Sequence, residues 1–185
     1  MPRMTVNERP VEFNLDPRMP LLYALREAMN LTGTKACGGS GGGGDCGGAC
    51  MVLVDGVALR SCRITLAEAE GRIITTIEGL SADRSHPVQQ AMVAQAAIQC
   101  GYCTPGMVIS AAALLQRNPA PTREDIEAAI PNICRCGVYP RLIKAVEQAG
   151  RVAQRRESIS AAPAPGISAE DAAKAVPALR VVETE

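Results

Sequence analysis

The stretch QCGYCTPG, at positions 99–106, places two cysteines between two segments with helical character. A second pair follows in the sequence CRC at positions 134–136, again between two such segments. A thioredoxin-like redox pair would require a βαβ context, and the one-residue gap of CRC is tight for a structural zinc site. Because helix ends hold each pair, packing of the helices can bring the four thiols together at one metal site.

Four helices are predicted to carry these pairs. The first spans 86–99, and Thr104 is predicted to cap the second, which is very apolar. Thr122 is predicted to cap the third, and Pro140 opens the fourth. Four short helices of this kind fit a small bundle, so residues 79–156 are predicted to form a four-helix domain.

The residues before position 79 show a different pattern. Two short strands are predicted within 3–16, and Pro20 opens a helix. A hairpin is predicted over 51–60, where the dipeptide Asp-Gly forms the turn, and a further strand over 72–77. Strands, one helix and then more strands predict a compact α+β domain over residues 1–78.

The other four cysteines lie in or beside a glycine-rich segment of this first domain, at positions 37, 46, 50 and 62. Glycine permits the backbone dihedrals needed to wrap closely around a bulky inorganic core. Backbone amides in such turns form anion-binding nests, which suit a negatively charged iron–sulfur cluster. Plant-type [2Fe-2S] ferredoxins space these ligands Cys-x4-Cys-x2-Cys, whereas the gaps here are eight and three residues.

Composition excludes several other classes of protein. The 185 residues carry 19 Lys and Arg against 19 Asp and Glu, and this balance argues against nucleic-acid binding. No stretch has the length or apolarity to insert into a membrane. The first residues lack the apolar core of a signal peptide, which disfavours a disulfide framework. We therefore expect a cytoplasmic protein, or a periplasmic one exported while folded with a partner.

Several motifs resemble the iron–sulfur subunit of the molybdenum hydroxylases, the xanthine oxidase and aldehyde oxidoreductase family. They are GTKACG, CGGACMVLVDG, QCGYCTPGMVISAAALLQRNPAPT and NICRCGVYPRLIKAV. The CRCGxYxR form is most similar to the small subunits of isoquinoline oxidoreductase, nicotinate dehydrogenase and bacterial aldehyde dehydrogenases. The resemblance implies a plant-ferredoxin-like β-grasp domain followed by a four-helix bundle, each holding one [2Fe-2S] cluster.

The resemblance also implies a role for each cysteine. The outer cluster would be held by the first quartet, which is Cys37, Cys46, Cys50 and Cys62. The inner cluster would be held by the second quartet, which is Cys100, Cys103, Cys134 and Cys136. In addition, Gln99 would contact molybdopterin, and Cys136 would lie near the pterin.

The function implied is electron transfer within a complex. A large subunit would bind molybdopterin, expected as the cytosine dinucleotide, and oxidise an aldehyde or an N-heteroaromatic substrate. This chain would pass single electrons from it to an external acceptor, such as a flavin subunit or a cytochrome c. The Ala/Pro-rich tail, residues 157–185, would be either solvated or docked on a partner.

Three features depart from the family pattern. The glycine insertion lengthens the loop between Cys37 and Cys50, while Ala36 and Pro131 stand where the family usually has glycine.

Two other functions remain open. One alternative is an adaptor that holds two structural zinc ions on its cysteines. The other is a free-standing ferredoxin that serves many partners.

Overall fold

A five-stranded mixed sheet forms the N-terminal part of the protein. The computed structural model describes residues 1–37, 46–81 and 83–159, so the glycine insertion and almost all of the predicted tail lie outside the described residues. The strands are β1 Arg3–Val6, β2 Arg9–Glu12, β3 Met51–Val54, β4 Val57–Arg60 and β5 Ile73–Thr75. Their order across the sheet is β2-β1-β5-β3-β4.

Two hairpins and one parallel pairing build this sheet. Asn7 and Glu8 turn the chain between β1 and β2, and Asp55 and Gly56 do so between β3 and β4. All four have a positive φ, as the tight turns favoured in hairpins require. The β1 strand pairs in parallel with β5, whereas β5 pairs antiparallel with β3. The two strands predicted within 3–16 and the hairpin predicted over 51–60 are confirmed.

One helix covers one face of the sheet, where the sequence predicts a helix after Pro20. It is α1, Leu21–Tyr23, which continues as a wider π-helical segment over Ala24–Ala28. Its side chains Leu21, Ala24 and Leu25 are fully buried in one core with residues of the sheet, which include Val6, Val52 and Ile74.

Four further helices follow the sheet. They are α2 Pro87–Ala94, α3 Thr104–Arg117, α4 Arg123–Ala129 and α5 Tyr139–Ala153. All four contribute to a second core, which includes Val88, Met92, Met107, Val108, Ile126, Leu142 and Val146. The described residues thus form the α+β protein that the sequence predicts. Among them, no helix is both long and apolar enough to cross a membrane.

Two details of the helix predictions are wrong. The first helix ends at Ala94, not at Gln99, and Ala96 adopts a left-handed conformation with φ 48°. A left-handed L-residue cannot continue a right-handed helix. In addition, Cys103 precedes α3, so Thr104 is its first helical residue and caps nothing with its side chain. Residues 95–103 therefore form a turn that carries Gln99 and the first cysteine pair of the second quartet.

The predicted cap at Thr122 is confirmed as a reciprocal capping box. Thr122 Oγ1 accepts a hydrogen bond from Asp125 N at 3.2 Å, and Asp125 Oδ2 accepts one from Thr122 N at 2.9 Å.

We expect Thr122→Ala to reduce the free energy of unfolding by about 1 kcal/mol, because the helix loses the hydrogen bond that the Thr122 hydroxyl accepts. Thermal denaturation of Thr122→Ala beside Thr104→Ala measures the difference, and equal losses in the two variants would contradict the assignment.

The other face of the sheet packs on α3. Because side chains alternate along a strand, Val52 faces α1 while Met51 and Leu53 face the opposite side. There they are buried with Ile109 and Ala113 of α3. This contact places the start of β3, where Cys50 lies, beside the helical part of the protein.

Candidate metal centres

The first quartet converges at one end of the β3–β4 hairpin. Cys50 immediately precedes β3, and Cys62 lies in the short turn Ser61–Arg63 after β4. The Sγ atom of Cys50 lies 3.3 Å from that of Cys46 and 3.4 Å from that of Cys62. The Sγ atoms of Cys37, Cys46 and Cys50 all lie within 4.8 Å of one another. The structure therefore brings all four predicted ligands together.

Cys37 and Cys46 are joined as a disulfide in the structure, with their Cα atoms 5.2 Å apart. The sequence disfavours disulfides, but the same convergence that builds a metal site also brings two thiols within bonding distance. The two uses of these sulfurs exclude each other. Metal binding at the full quartet therefore requires Cys37 and Cys46 in the reduced form.

The surroundings of the first quartet suit a thiolate-bound metal cluster. Among the described residues, the atoms that could bind a metal here are cysteine sulfurs. Cysteine sulfurs bind iron–sulfur clusters and structural zinc. Leu22 packs against Cys46 and Cys50, and Cys50 is fully buried. Burial raises the pKa of the Cys50 thiol to about 11. Without metal this thiol keeps its proton, so metal binding must release protons.

The cysteines of the second quartet lie at the two helix joints that the sequence predicts, and there they interact in two pairs. The thiol of Cys103, before α3, interacts with that of Cys134, and the thiol of Cys100 interacts with that of Cys136. Cys103 and Cys134 are buried, whereas Cys100 and Cys136 are exposed. Gln99, which directly precedes Cys100, is exposed as well. Half of this quartet, together with Gln99, is therefore open to a partner surface.

The buried pair of the second quartet is electrostatically asymmetric. Burial raises the pKa of Cys103 to about 12, and the neighbouring thiol of Cys134 adds to this shift. At Cys134, burial also raises the pKa, but hydrogen bonds from the Val138 backbone and from Cys103 outweigh it and leave the pKa lowered. The Cys134 backbone N–H donates to Tyr139 Oη at 2.7 Å. Cys134 is thus the member of the pair that more readily becomes a thiolate.

A network of hydrogen bonds joins the loop of the first quartet to that of the second. The backbone N–H of Ile133 donates to Gly47 O at 2.9 Å, and Asn132 Nδ2 donates to Gly48 O at 2.8 Å. Asn132 is only 3% exposed, and its Oδ1 accepts from Ser110 Oγ at 3.0 Å. We call these contacts the junction. Through them, the segment between Cys46 and Cys50 lies directly against the segment before Cys134.

The junction depends on two glycines. Gly48 has φ +78°, a left-handed conformation that favours glycine. A Cβ on Gly106, in the first turn of α3, would collide with the Gly48 carbonyl oxygen and lie 3.0 Å from Asn132 Nδ2. Only glycine lets the helix approach this loop so closely.

Sequence reasoning missed the polar residues that surround the cysteines. Asn132, Ser110 and Tyr139 make the hydrogen bonds described above, and Tyr102 Oη donates to the Ala36 carbonyl oxygen. Their signal in the sequence is proximity, since three of the four lie within five residues of a cysteine of the second quartet. Proximity does not reveal which side chain reaches which backbone group.

Known proteins share this arrangement of sequence. Residues 76–147 match the family described as the [2Fe-2S] binding domain. Over 155 residues the chain is 46% identical to one of the subunits of nicotinate dehydrogenase from Pseudomonas putida, covering 82% of this chain and 96% of that one. It is 42% identical to the alpha subunit of isoquinoline 1-oxidoreductase from Brevundimonas diminuta, covering 80% of this chain and 96% of that one.

Solved structures agree in fold. Quinoline 2-oxidoreductase from Pseudomonas putida superposes with a TM-score of 0.73 at 38% identity, over 84% of this chain and 96% of that one. Aldehyde oxidoreductase from Desulfovibrio desulfuricans superposes with a TM-score of 0.77 at 34% identity, over 90% of this chain and 19% of that one.

The fold, the paired cysteine quartets and these similarities define an iron–sulfur protein of an oxidoreductase. The chain belongs to the family of small iron–sulfur subunits of the molybdenum hydroxylases, as its cysteine motifs predict. It is therefore one of the subunits of the kind found in molybdenum-dependent oxidoreductase complexes.

Proposed function

We propose that this chain carries single electrons from a molybdenum–pterin centre in a large partner subunit to an external acceptor. Two [2Fe-2S] clusters would supply the one-electron redox chemistry. In this proposal the first quartet holds the outer cluster and the second quartet holds the inner cluster. The observation that supports the proposal is the junction, in which the segment between Cys46 and Cys50 is hydrogen-bonded to the segment before Cys134.

We propose that each cysteine quartet belongs to a domain of its own. Residues 1–78 form the β-grasp domain of the first quartet, and residues 79–156 form the four-helix bundle of the second. The shared core of α2, α3, α4 and α5 supports such a bundle. Residues 157–185 would dock on a partner or remain solvated.

The two quartets offer different surfaces to partners. Exposed Cys136 and Gln99 suit contact with molybdopterin, in its cytosine dinucleotide form, on the large subunit. The first quartet, with Cys62 only half-buried, would then serve the acceptor, a cytochrome c or a flavin subunit. The complex would act in the cytoplasm, or in the periplasm after export as a folded assembly.

The names of the relatives suggest the substrate class. Nicotinate, isoquinoline and quinoline are N-heteroaromatic compounds, and other relatives are named for the oxidation of aldehydes. We therefore propose an N-heteroaromatic compound or an aldehyde as the substrate of the complex. The chemistry on it belongs to the large subunit, so this chain needs no catalytic acid or base.

Reduction of the purified complex by its substrate tests the proposed function. The chain is co-expressed with its large subunit, and substrate is added without oxygen. We expect the red-brown absorption to bleach as electrons enter this chain. A colourless, zinc-containing complex would favour the adaptor, and a monomer that purifies alone with full iron would favour the free-standing ferredoxin. Either result would overturn the proposal.

A further inference from the structure

Tyr102 connects the two quartets through its side chain. It lies between Cys100 and Cys103 of the second quartet, and its Oη donates a hydrogen bond to the carbonyl oxygen of Ala36. Ala36 immediately precedes Cys37 of the first quartet. One hydroxyl group therefore links the ligand loop of one quartet to the backbone beside a ligand of the other.

Cys37 needs such support from its N-terminal side. The eight residues that follow it contain six glycines, and glycine loses more backbone freedom than any other residue when it is ordered. The segment before Cys37 is anchored by hydrogen bonds. Lys35 N donates to Ala49 O at 3.1 Å, and Arg26 Nη1 donates to Thr34 O at 2.7 Å. The Tyr102 hydroxyl is the anchor nearest to the ligand.

We propose that Tyr102 is a positioning residue for the outer site: it holds Cys37 in place and raises the reduction potential there. This inference rests on the proposed function, since it takes the first quartet as a [2Fe-2S] site. A hydroxyl that donates to the Ala36 carbonyl offsets the negative end of that dipole beside Cys37. Less negative potential near the site favours the reduced, more negative state, as hydrogen bonds do around iron–sulfur clusters generally.

The variant Tyr102→Phe removes the hydroxyl and keeps the ring. In the intact complex, we expect the midpoint potential of the outer site to fall and that of the inner site to stay unchanged, as followed by EPR during redox titration. We also expect a chelator to remove iron from the outer site about two- to tenfold faster, because one hydrogen bond is worth about 0.5–1.5 kcal/mol.

Two matched variants separate this role from general effects of losing a tyrosine hydroxyl. Tyr23 is 45% exposed and makes no side-chain hydrogen bond within the described residues, so Tyr23→Phe should match the wild type in both measurements. Tyr139 accepts a hydrogen bond from Cys134 N, so Tyr139→Phe should shift the inner site instead.

The inference would be overturned if Tyr102→Phe matched Tyr23→Phe in either measurement. A wild-type complex without two reducible iron–sulfur signals would be a separate result, because it would refute the proposed function itself. Both signals in the wild type, with no effect of Tyr102→Phe, would refute the role of Tyr102 alone.

Discussion

Cys136→Ala is expected to abolish the inner [2Fe-2S] signal and to reduce substrate-driven electron transfer by more than about a hundredfold. Even changes in the residues around a metal ligand reduce affinity or activity by about ten- to a hundredfold, and here a ligand itself is lost. Cys136 is exposed, so removing its sulfur leaves no cavity in the core. The loss should therefore reflect ligation and not folding.

EPR of the reduced complex and steady-state turnover with an artificial acceptor measure this effect. Lys144→Ala, at an exposed position of α5, provides the control and should retain both signals and full turnover. Turnover at the wild-type level in Cys136→Ala would contradict the ligand assignment. An intact inner signal in that variant would contradict it equally.

Gly106→Ala is expected to separate the two loops that the junction joins. Replacing glycine by alanine in a helix normally stabilises it by about 0.5–1 kcal/mol. Here the new Cβ would meet the Gly48 backbone, which cannot move away without breaking its hydrogen bond to Asn132. Forced overpacking costs about 1–3 kcal/mol. We expect a Tm several degrees below that of the wild type, together with a weaker magnetic interaction between the two reduced sites.

Gln116→Ala is the control for Gly106→Ala, because it also introduces an alanine into α3 but on the exposed face of the helix. Because surface changes usually stay within about 0.5 kcal/mol, its Tm and EPR spectra should match the wild type. A Gly106→Ala complex as stable as Gln116→Ala would show that α3 does not need to approach Gly48 so closely.

Local signals in the sequence predict much of this fold. Asp55-Gly56 marks a hairpin, Thr122 with Asp125 marks a helix start, and both are confirmed. The prediction fails at residues 95–99, where apolar spacing continues but Ala96 turns into the left-handed region. Nothing local in this alanine-rich segment marks that point.

The candidate site also combines features that the sequence predicts with contacts that it does not. The sequence and its resemblance to the family propose all eight cysteines as ligands; the structure brings the first quartet together and the second quartet into two interacting pairs. The junction escapes prediction, because Asn132 reaches Gly48 across 84 positions of sequence. Contacts over such distances depend on how the sheet packs on α3. The disulfide between Cys37 and Cys46 likewise follows from their convergence in space.

Metal content with EPR, measured on the intact complex isolated without oxygen, tests the central claim most directly. The account predicts about four iron atoms per copy of this chain and two distinct [2Fe-2S] signals after reduction. About two irons with one signal, or zinc in place of iron, would contradict it.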